Sequence, residues 1–255
     1  MNTIENFKNS IKEKNCIKII AGIDNYDIEN VLKVTKAAEK GGADALDVAA
    51  REDIIKLAKE NSTLALFVSS TEPEKLLMAK ENGADVLEVG NFDAFYKKGL
   101  RMTPEEVLEI AQKTIELAGK EIMLSVTVPG HINIAEQIKL AQELEKIGVD
   151  LIQTEGAATI DAKSAGARGL IEKAIVSISN TIELSKNINI PIMTASGITV
   201  TTAPMAFASG ASAVGVGSCV NKLSSAVEML AAVKAIVEAV KLNENSVAKQ
   251  EWEKA

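Results

Sequence analysis

The chain is poor in aromatic residues and in cysteine, and each scarcity narrows the kinds of protein it can be. Aromatic residues make up 3% of its 255 residues, which leaves little surface for stacking bases or sugars. Cys16 and Cys219 are too few for a disulfide framework and belong to no metal-ligand cluster, and no cofactor site is evident. We interpret both as buried structural thiols, although an exposed Cys219 at a helix start would have a lowered pKa.

The chain also lacks a basic stripe and a long apolar run, and its first residues are not expected to be a leader peptide. Its net charge of −7 argues against nucleic acid and anionic membrane surfaces as partners. The N-terminal segment MNTIENFKNSIKEKN mixes acids with lysines, so it resembles neither a signal peptide nor a transit peptide. No segment approaches the roughly 18 apolar residues that span a bilayer. We therefore expect a soluble protein.

Strand-like and helix-like runs alternate along the chain and predict a single (β/α)8 TIM barrel at 1–242, followed by a polar tail at 243–255. Single barrels of this kind typically have about 250 residues. An amphipathic helix at 4–14 is expected to cap the barrel bottom. The predicted strands lie at 17–23, 46–49, 64–69, 86–89, 122–128, 151–154, 190–195 and 213–217. Such alternation indicates an all-parallel sheet with right-handed crossovers.

Four segments repeat a helix-stopping glycine followed by an apolar strand, on strands two, four, six and eight. The repeats begin at Gly42, Gly83, Gly148 and Gly210. Alternate strands supply the same layer of side chains inside a barrel, so equivalent positions of the repeats should face one another. These positions hold three polar groups and one empty place: Asp47, Glu88, Gln153 and Gly215.

Glycine and serine end both of the last two strands, and this pattern predicts a phosphate site. Such turns present backbone N–H groups, and a helix that opens at Ser218 adds the positive end of its dipole. In a barrel this pocket is expected after strands seven and eight. The alternative is that the glycines only close tight turns. The candidate phosphate-binding residues are Ser196, Gly197, Gly215, Gly217 and Ser218.

Ionisable residues near strand ends are the candidate catalytic groups. They are Lys18, Asp47, Glu88, Glu155 and His131. Lys18 lies within an apolar strand and should meet Asp47 or Glu88, because an unpaired buried lysine is costly. It acts either as a base or Schiff-base nucleophile, or only as a structural residue that holds the barrel interior together through its ion pair.

Asp24 and Glu155 follow strands one and six, where each either serves as an acid or base or caps the next helix. His131 is the only histidine, and its loop after strand five makes it either functional or simply exposed. The loops 90–103 and 156–169 are longer than a bare turn requires. They are expected to be lids, ordinary surface or oligomer contacts.

Six short runs carry a resemblance to a known family. In order they are IIAGIDN at 19–25, GNFD at 90–93, EQIKLA at 136–141, QTEG at 153–156, ASG at 195–197 and GVGS at 215–218. They are similar to the hypothetical chloroplast open reading frame twenty-three family of algal plastids and cyanobacteria, over about residues 5–242. The resemblance implies an aldolase-type barrel of the ribulose-phosphate-binding kind, in a plastid stroma or a cyanobacterial cytoplasm. It implies no activity and no catalytic residue.

The sequence therefore predicts a barrel that binds a small phosphorylated molecule. An isomerase, an epimerase or an aldolase-like lyase fits this layout, whereas a non-catalytic phosphometabolite-binding or regulatory protein and a scaffold with a vestigial pocket are the alternatives. The fold alone cannot choose among them, so whether the protein is an enzyme stays open. The apolar final helix either buries a partner's surface in a homo-oligomer or covers the barrel.

Overall fold

Eight parallel strands close into a barrel in the computed structural model, which describes residues 3–96, 98–156 and 163–247. Strand β1 (Cys16–Ile20) pairs with the last strand, and every other strand pairs with its neighbours along the chain. The remaining strands are β2 (Ala45–Ala49), β3 (Ala65–Ser70), β4 (Val86–Val89), β5 (Met123–Thr127), β6 (Leu151–Gln153), β7 (Ile192–Ala195) and β8 (Ala213–Val216). The predicted fold class is confirmed.

Helices precede, connect and follow the strands. They are α1 (Thr3–Glu13), α2 (Ile28–Gly41), α3 (Glu52–Asn61), α4 (Pro73–Glu81), α5 (Asp93–Tyr96), α6 (Pro104–Ala118), α7 (Ile134–Ile147), α8 (Gly166–Ser185), α9 (Ala203–Ala208), α10 (Ser218–Asn221) and α11 (Ala226–Val247). Helix α11 continues beyond 242, and the rest of the expected tail, 248–255, lies outside the described residues. In the described ranges, no helix combines the length and the apolar character needed to cross a membrane.

Local sequence signals account for where several helices begin and end. Thr103 and Glu106 form a reciprocal capping box at the start of α6, and Asn133 and Glu136 form another at α7. Gly148 ends α7 in the left-handed conformation, which a residue with a Cβ adopts only with strain. The helix-stopping glycines of the internal repeat therefore have a conformational reason.

Helix α1 closes the bottom of the barrel, as expected. Its Phe7 is buried and makes an edge-to-face contact with Phe67 of β3, with 5.2 Å between ring centroids. These rings belong to a core inside the barrel that also contains Ile11, Cys16, Ala45, Ala65, Val86, Leu151, Met193 and Ala213. A larger core lies between the strands and the outer helices. The upper part of the barrel interior is polar, and it forms the floor of the candidate site.

Candidate functional site

A cavity of about 1050 Å³ opens where the strands end. This is the size range of small-molecule sites in proteins, roughly 300–1,000 Å³. All the predicted phosphate-binding residues line it, as does Glu155. Lys18, Asp47, Glu88 and His131 are not among the described residues of its wall. The two final strand ends therefore bound one space that the side chains of the described residues leave open.

The repeated positions meet in one layer beneath this cavity, as predicted. Asn91 Nδ2 donates to Asp47 Oδ2 at 3.1 Å and to Glu88 Oε1 at 3.0 Å. Gln153 Nε2 donates to the same Glu88 oxygen at 3.1 Å. A Cβ on Gly215 would lie 3.3 Å from Gln153 Oε1, so this glycine is the empty place. Sequence reasoning missed Asn91, which comes from the loop after β4 and joins the layer from above.

Lys18 reaches this layer from below and is fully buried. Its Nζ lies 2.6 Å from Glu88 Oε2 and 4.5 Å from the ring centroid of Phe67. The expected pairing with a carboxylate is confirmed, and Glu88 is the partner. Because the amine is held under the floor by an ion pair, the geometry supports a tie across the barrel interior better than a Schiff-base nucleophile. A catalytic role for Lys18 stays a prediction.

Asp47 is the second buried carboxyl of the layer. Ser69 Oγ donates a hydrogen bond to its Oδ1. Burial raises the pKa of Asp47 to about 7; the Lys18 charge opposes this rise, and the Glu88 charge adds to it. The floor of the cavity therefore contains a carboxyl that changes charge near neutral pH.

The corner after β7 is formed by Ser196 and Gly197, which both adopt left-handed conformations with φ of 71° and 77°. A Cβ on Gly197 would lie 2.8 Å from backbone atoms of Lys173 and Ala174 in α8, so packing requires this glycine. The Ser196 hydroxyl donates to Asp93 Oδ2. Of the two polar groups of Ser196 that could donate to an anion, the hydroxyl is thus already engaged, which leaves its backbone N–H.

The corner after β8 has a glycine that packing does not require. A Cβ on Gly217 would lie 3.8 Å from Asn221 Nδ2 and 3.9 Å from Ile20 Cβ, which is ordinary contact, and its φ is −103°. Asn221 Nδ2 in turn donates to Ile20 O at 3.0 Å and to Ala21 O at 3.1 Å, which ties α10 to the end of β1. The missing side chain therefore leaves room on the cavity side of a fixed corner.

Both corners offer unpaired donors to the cavity. Within the described loops, no backbone hydrogen bond is donated by the N–H groups of Ser196, Gly197, Gly217 or Ser218. Lys173 and Lys222 are exposed, line the cavity and take part in no ion pair with other described residues. Sequence reasoning missed both lysines, although Lys222 follows the last glycine-rich corner closely. Cys219 is half-buried, and burial raises the pKa of its thiol, which agrees with a structural thiol rather than with the alternative of an exposed thiol of lowered pKa.

Glu155 forms another part of the cavity wall and is 2% exposed. It accepts hydrogen bonds from Asp93 N at 2.6 Å, from Gly130 N at 3.3 Å and from the Tyr96 hydroxyl. Burial raises its pKa to about 8, and the charge of Asp93 adds to the rise. Glu155 does not cap α8, the next helix among the described residues, because Ala165 occupies that position.

Asp24 and the neighbouring loops complete the rim. Asp24 lines the cavity and lies 3.2 Å from Lys98 Nζ, whereas Asp27 caps α2, so the capping alternative for Asp24 is also wrong. In the loop 90–103, Phe92 precedes α5 and Tyr96 ends it, and both rings are buried in the core around the barrel. Of the loop 156–169, residues 157–162 lie outside the described part.

His131 contacts the same loop. Its Nδ1 lies 3.1 Å from the Tyr96 hydroxyl, and the two rings meet edge to face at 5.3 Å. Burial lowers the pKa of His131, and the positive charge of Arg101 lowers it further. Within the described ranges, no group of three or more His, Cys, Asp or Glu residues is arranged to hold a metal ion.

Comparison with known proteins gives relatives along nearly the whole chain. The family described as "Protein of unknown function (DUF561)" matches residues 1–246. The chain is 38% identical over 243 residues to "Uncharacterized protein ycf23" of Pyropia yezoensis, which covers 95% of this chain and 89% of the relative. It is 36% identical over 230 residues to the protein of the same description in Cyanophora paradoxa, which covers 90% of this chain and 93% of the relative.

Solved structures of low sequence identity share the barrel. (S)-3-O-geranylgeranylglyceryl phosphate synthase from Thermoplasma acidophilum superposes with a TM-score of 0.63 at 16% identity, covering 95% of this chain and 99% of that one. 3-Hexulose-6-phosphate synthase superposes with a TM-score of 0.61 at 16% identity, covering 88% and 99%. At such identity the likeness shows the fold alone.

Proposed function

This chain belongs to the family described as "Protein of unknown function (DUF561)", and from that premise we propose that it binds the phosphate group of a small metabolite and acts on that metabolite as an isomerase, an epimerase or an aldolase-like lyase. One observation carries the proposal. The corners after β7 and β8 line a single cavity together with Glu155 and with Lys173 and Lys222, which form no ion pair with other described residues. Within the described loops, the N–H groups of both corners donate no backbone hydrogen bond.

Phosphate is the ligand that best fits these donors. Backbone N–H groups at glycine-rich turns bind anions through fixed partial charges, without the desolvation cost of a buried cation. Lys173 and Lys222 add mobile charges at the mouth, so a dianion is neutralised on a chain whose net charge is −7. The barrel from Thermoplasma acidophilum was solved with its substrate sn-glycerol-1-phosphate, which supports a phosphate ester as the first ligand to test.

Titration calorimetry of the full chain tests the site with inorganic phosphate and sn-glycerol-1-phosphate. We expect both to bind the wild type. Gly217→Asp places a carboxylate among the donors and should weaken binding at least about a hundredfold, because an unpaired like charge costs several kcal/mol. Ala226→Asp is the matched control, since it adds the same charge at an exposed residue of α11 outside the cavity. Equal affinities in the two variants would contradict the phosphate site.

The lysines are tested separately. Lys222→Ala should weaken binding of sn-glycerol-1-phosphate about tenfold, as loss of one charge-assisted hydrogen bond does. The effect should shrink at high ionic strength, because the side chain is exposed. A salt-independent loss of the same size would point to a change of structure instead.

Location and assembly follow as further parts of the proposal. Relatives in Pyropia yezoensis and Cyanophora paradoxa, together with the family resemblance, support a plastid stroma or a cyanobacterial cytoplasm as the location of the protein. Fractionation of cells with an antibody against the chain tests this. Light scattering on the purified chain tests the homo-oligomer, and a mass of one chain at all concentrations would exclude it.

A further inference from the structure

Three side chains form a hydrogen-bonded chain that leads from the cavity wall to a half-buried histidine. The Tyr96 hydroxyl donates to Glu155 Oε2, and His131 Nδ1 lies 3.1 Å from the same hydroxyl oxygen. Since a phenol has one proton and gives it to the carboxyl group, we assign the proton of the second hydrogen bond to His131 Nδ1. The other ring nitrogen, Nε2, then has a free lone pair on a side chain that solvent partly reaches.

In this hydrogen-bonded series, the carboxyl of Glu155 and the phenol of Tyr96 differ in how readily they lose a proton. Glu155, with its pKa near 8, gives or takes a proton readily at neutral pH. Burial raises the pKa of Tyr96, and the charge of Glu155 raises it further, whereas Arg101, 5.2 Å from its ring, opposes the shift. The phenol therefore keeps its proton at rest and can only pass protons on.

The surroundings of the histidine at the outer end favour its neutral form. Burial and the Arg101 charge lower its pKa, while the charge of Glu136 partly opposes them. A neutral imidazole can release a proton from one nitrogen while it takes another at the second nitrogen, which is the property of a proton relay.

We propose that Glu155 is the acid–base group of this site and that Tyr96 and His131 relay its protons to solvent. The inference rests on the proposed function and deepens it by naming the reaction. The class is reversible removal of a proton from the carbon beside the carbonyl of a ketose phosphate, as in an isomerase or epimerase. The amine of Lys18 lies under the floor in an ion pair with Glu88, so Lys18 is poorly placed to form an imine with a molecule in the cavity.

The proton balance of the relay is simple. Glu155 as the acid gives one proton to the oxygen or carbon of the substrate and becomes a carboxylate. The Tyr96 proton moves to Glu155, the Nδ1 proton of His131 moves to Tyr96, and a solvent proton binds Nε2. One proton enters and one leaves. Because an isomerisation both removes and returns a proton, the reverse sequence restores the first tautomer.

Exchange of carbon-bound hydrogen for deuterium tests the reaction without knowledge of the natural substrate. The full chain is mixed in D₂O with dihydroxyacetone phosphate, ribulose 5-phosphate or fructose 6-phosphate, and loss of the C–H signal is followed by proton NMR. We expect exchange of at least one probe by the wild type and none by Glu155→Gln. Tyr96→Phe should slow the exchange at least about a hundredfold while phosphate affinity stays within about twofold, since acid–base catalysis contributes about 10²–10⁴.

Two further variants separate a relay from a structural role. Tyr26→Phe is the matched control, because it removes the hydroxyl of an exposed tyrosine that does not line the cavity, and its exchange rate should equal that of the wild type. His131→Gln should exchange slowly, with a rate that rises with the concentration of added imidazole. The wild-type rate and that of Glu155→Gln should not respond to imidazole.

The possible failures are distinguishable. Binding of phosphate by the wild type without exchange of any probe overturns the relay and leaves the phosphate site standing. Exchange by Tyr96→Phe with the wild-type rate and pH profile overturns the roles of Tyr96 and His131. If the wild type binds neither inorganic phosphate nor any probe, both the proposed function and this inference fail.

Discussion

Lys18→Met tests whether the buried ion pair holds the barrel together, and we expect it to lower the free energy of unfolding by about 3 kcal/mol. Removing one partner of a buried pair typically costs about 3–5 kcal/mol, because the other charge stays buried without compensation. Lys18 Nζ is 2.6 Å from Glu88 Oε2, and both side chains are 0% exposed. Glu88 keeps hydrogen bonds from Ser125 Oγ, Asn91 Nδ2 and Gln153 Nε2, which places the cost at the low end of that range.

A second substitution identifies the source of this cost. Methionine nearly retains the length of the lysine stem, so the loss should come from the uncompensated charge of Glu88 rather than from a cavity. Combining Lys18→Met with Glu88→Gln removes that charge and should restore about 2 kcal/mol relative to the sum of the single variants. The coupling should be absent for Lys18→Met combined with Asp53→Asn, since Asp53 is an exposed residue paired with Arg51.

Urea unfolding followed by circular dichroism at pH 7 measures all of these variants, and equal slopes with urea establish that the same surface is exposed in each. A Lys18→Met variant within about 0.5 kcal/mol of the wild type, or a strictly additive double variant, would refute the reasoning from burial and pairing. The same variant tests the alternative chemistry. Borohydride trapping of a sugar phosphate that persists in Lys18→Met would eliminate Lys18 as an imine-forming residue.

Three further predictions concern the floor, the bottom and the wall of the barrel. Because the pKa of Asp47 rises from about 4 in the unfolded chain to about 7, the folded state binds more protons between these values, and stability falls as pH rises from about 4 to about 7. Asp47→Asn should flatten this dependence by up to about 1.4 kcal/mol per pH unit in urea unfolding, and an unchanged slope would contradict the shift. Phe7→Ala should cost about 3–5 kcal/mol through lost packing on Phe67, with unchanged phosphate affinity, and a cost below about 1 kcal/mol would contradict a closed barrel bottom. Gly90→Ala should lower the free energy of unfolding by about 1–3 kcal/mol, because φ is +140° and the new Cβ would lie 2.2 Å from Thr127 Oγ1. An unchanged melting temperature would refute this close approach.

The sequence by itself determined the number and order of the barrel strands and most of the helices between them, but not α5, which lies in a segment expected to be a loop. Strand β4 was predicted residue for residue at 86–89, because a short, mostly apolar run and a helix-stopping glycine are both local signals. Strand β1 was predicted to 23 but ends at Ile20, since the chain turns through Gly22 with φ of +126°. The layer of Asp47, Glu88 and Gln153 was also predictable, because strand alternation and barrel symmetry set which positions face inward.

Only the tertiary structure decided which polar groups meet. The choice of Glu88 rather than Asp47 as the partner of Lys18 depends on the stagger of strands that are far apart in the chain. Tyr96 reaches Glu155 across 59 positions, and Asp93 reaches it across 62. No local pattern encodes such contacts, because they form only when the barrel closes and brings the loops after β4, β5 and β6 to one edge. Local chemistry specifies the strands and turns, whereas closure of the sheet selects the neighbours that set charge and acidity in the site.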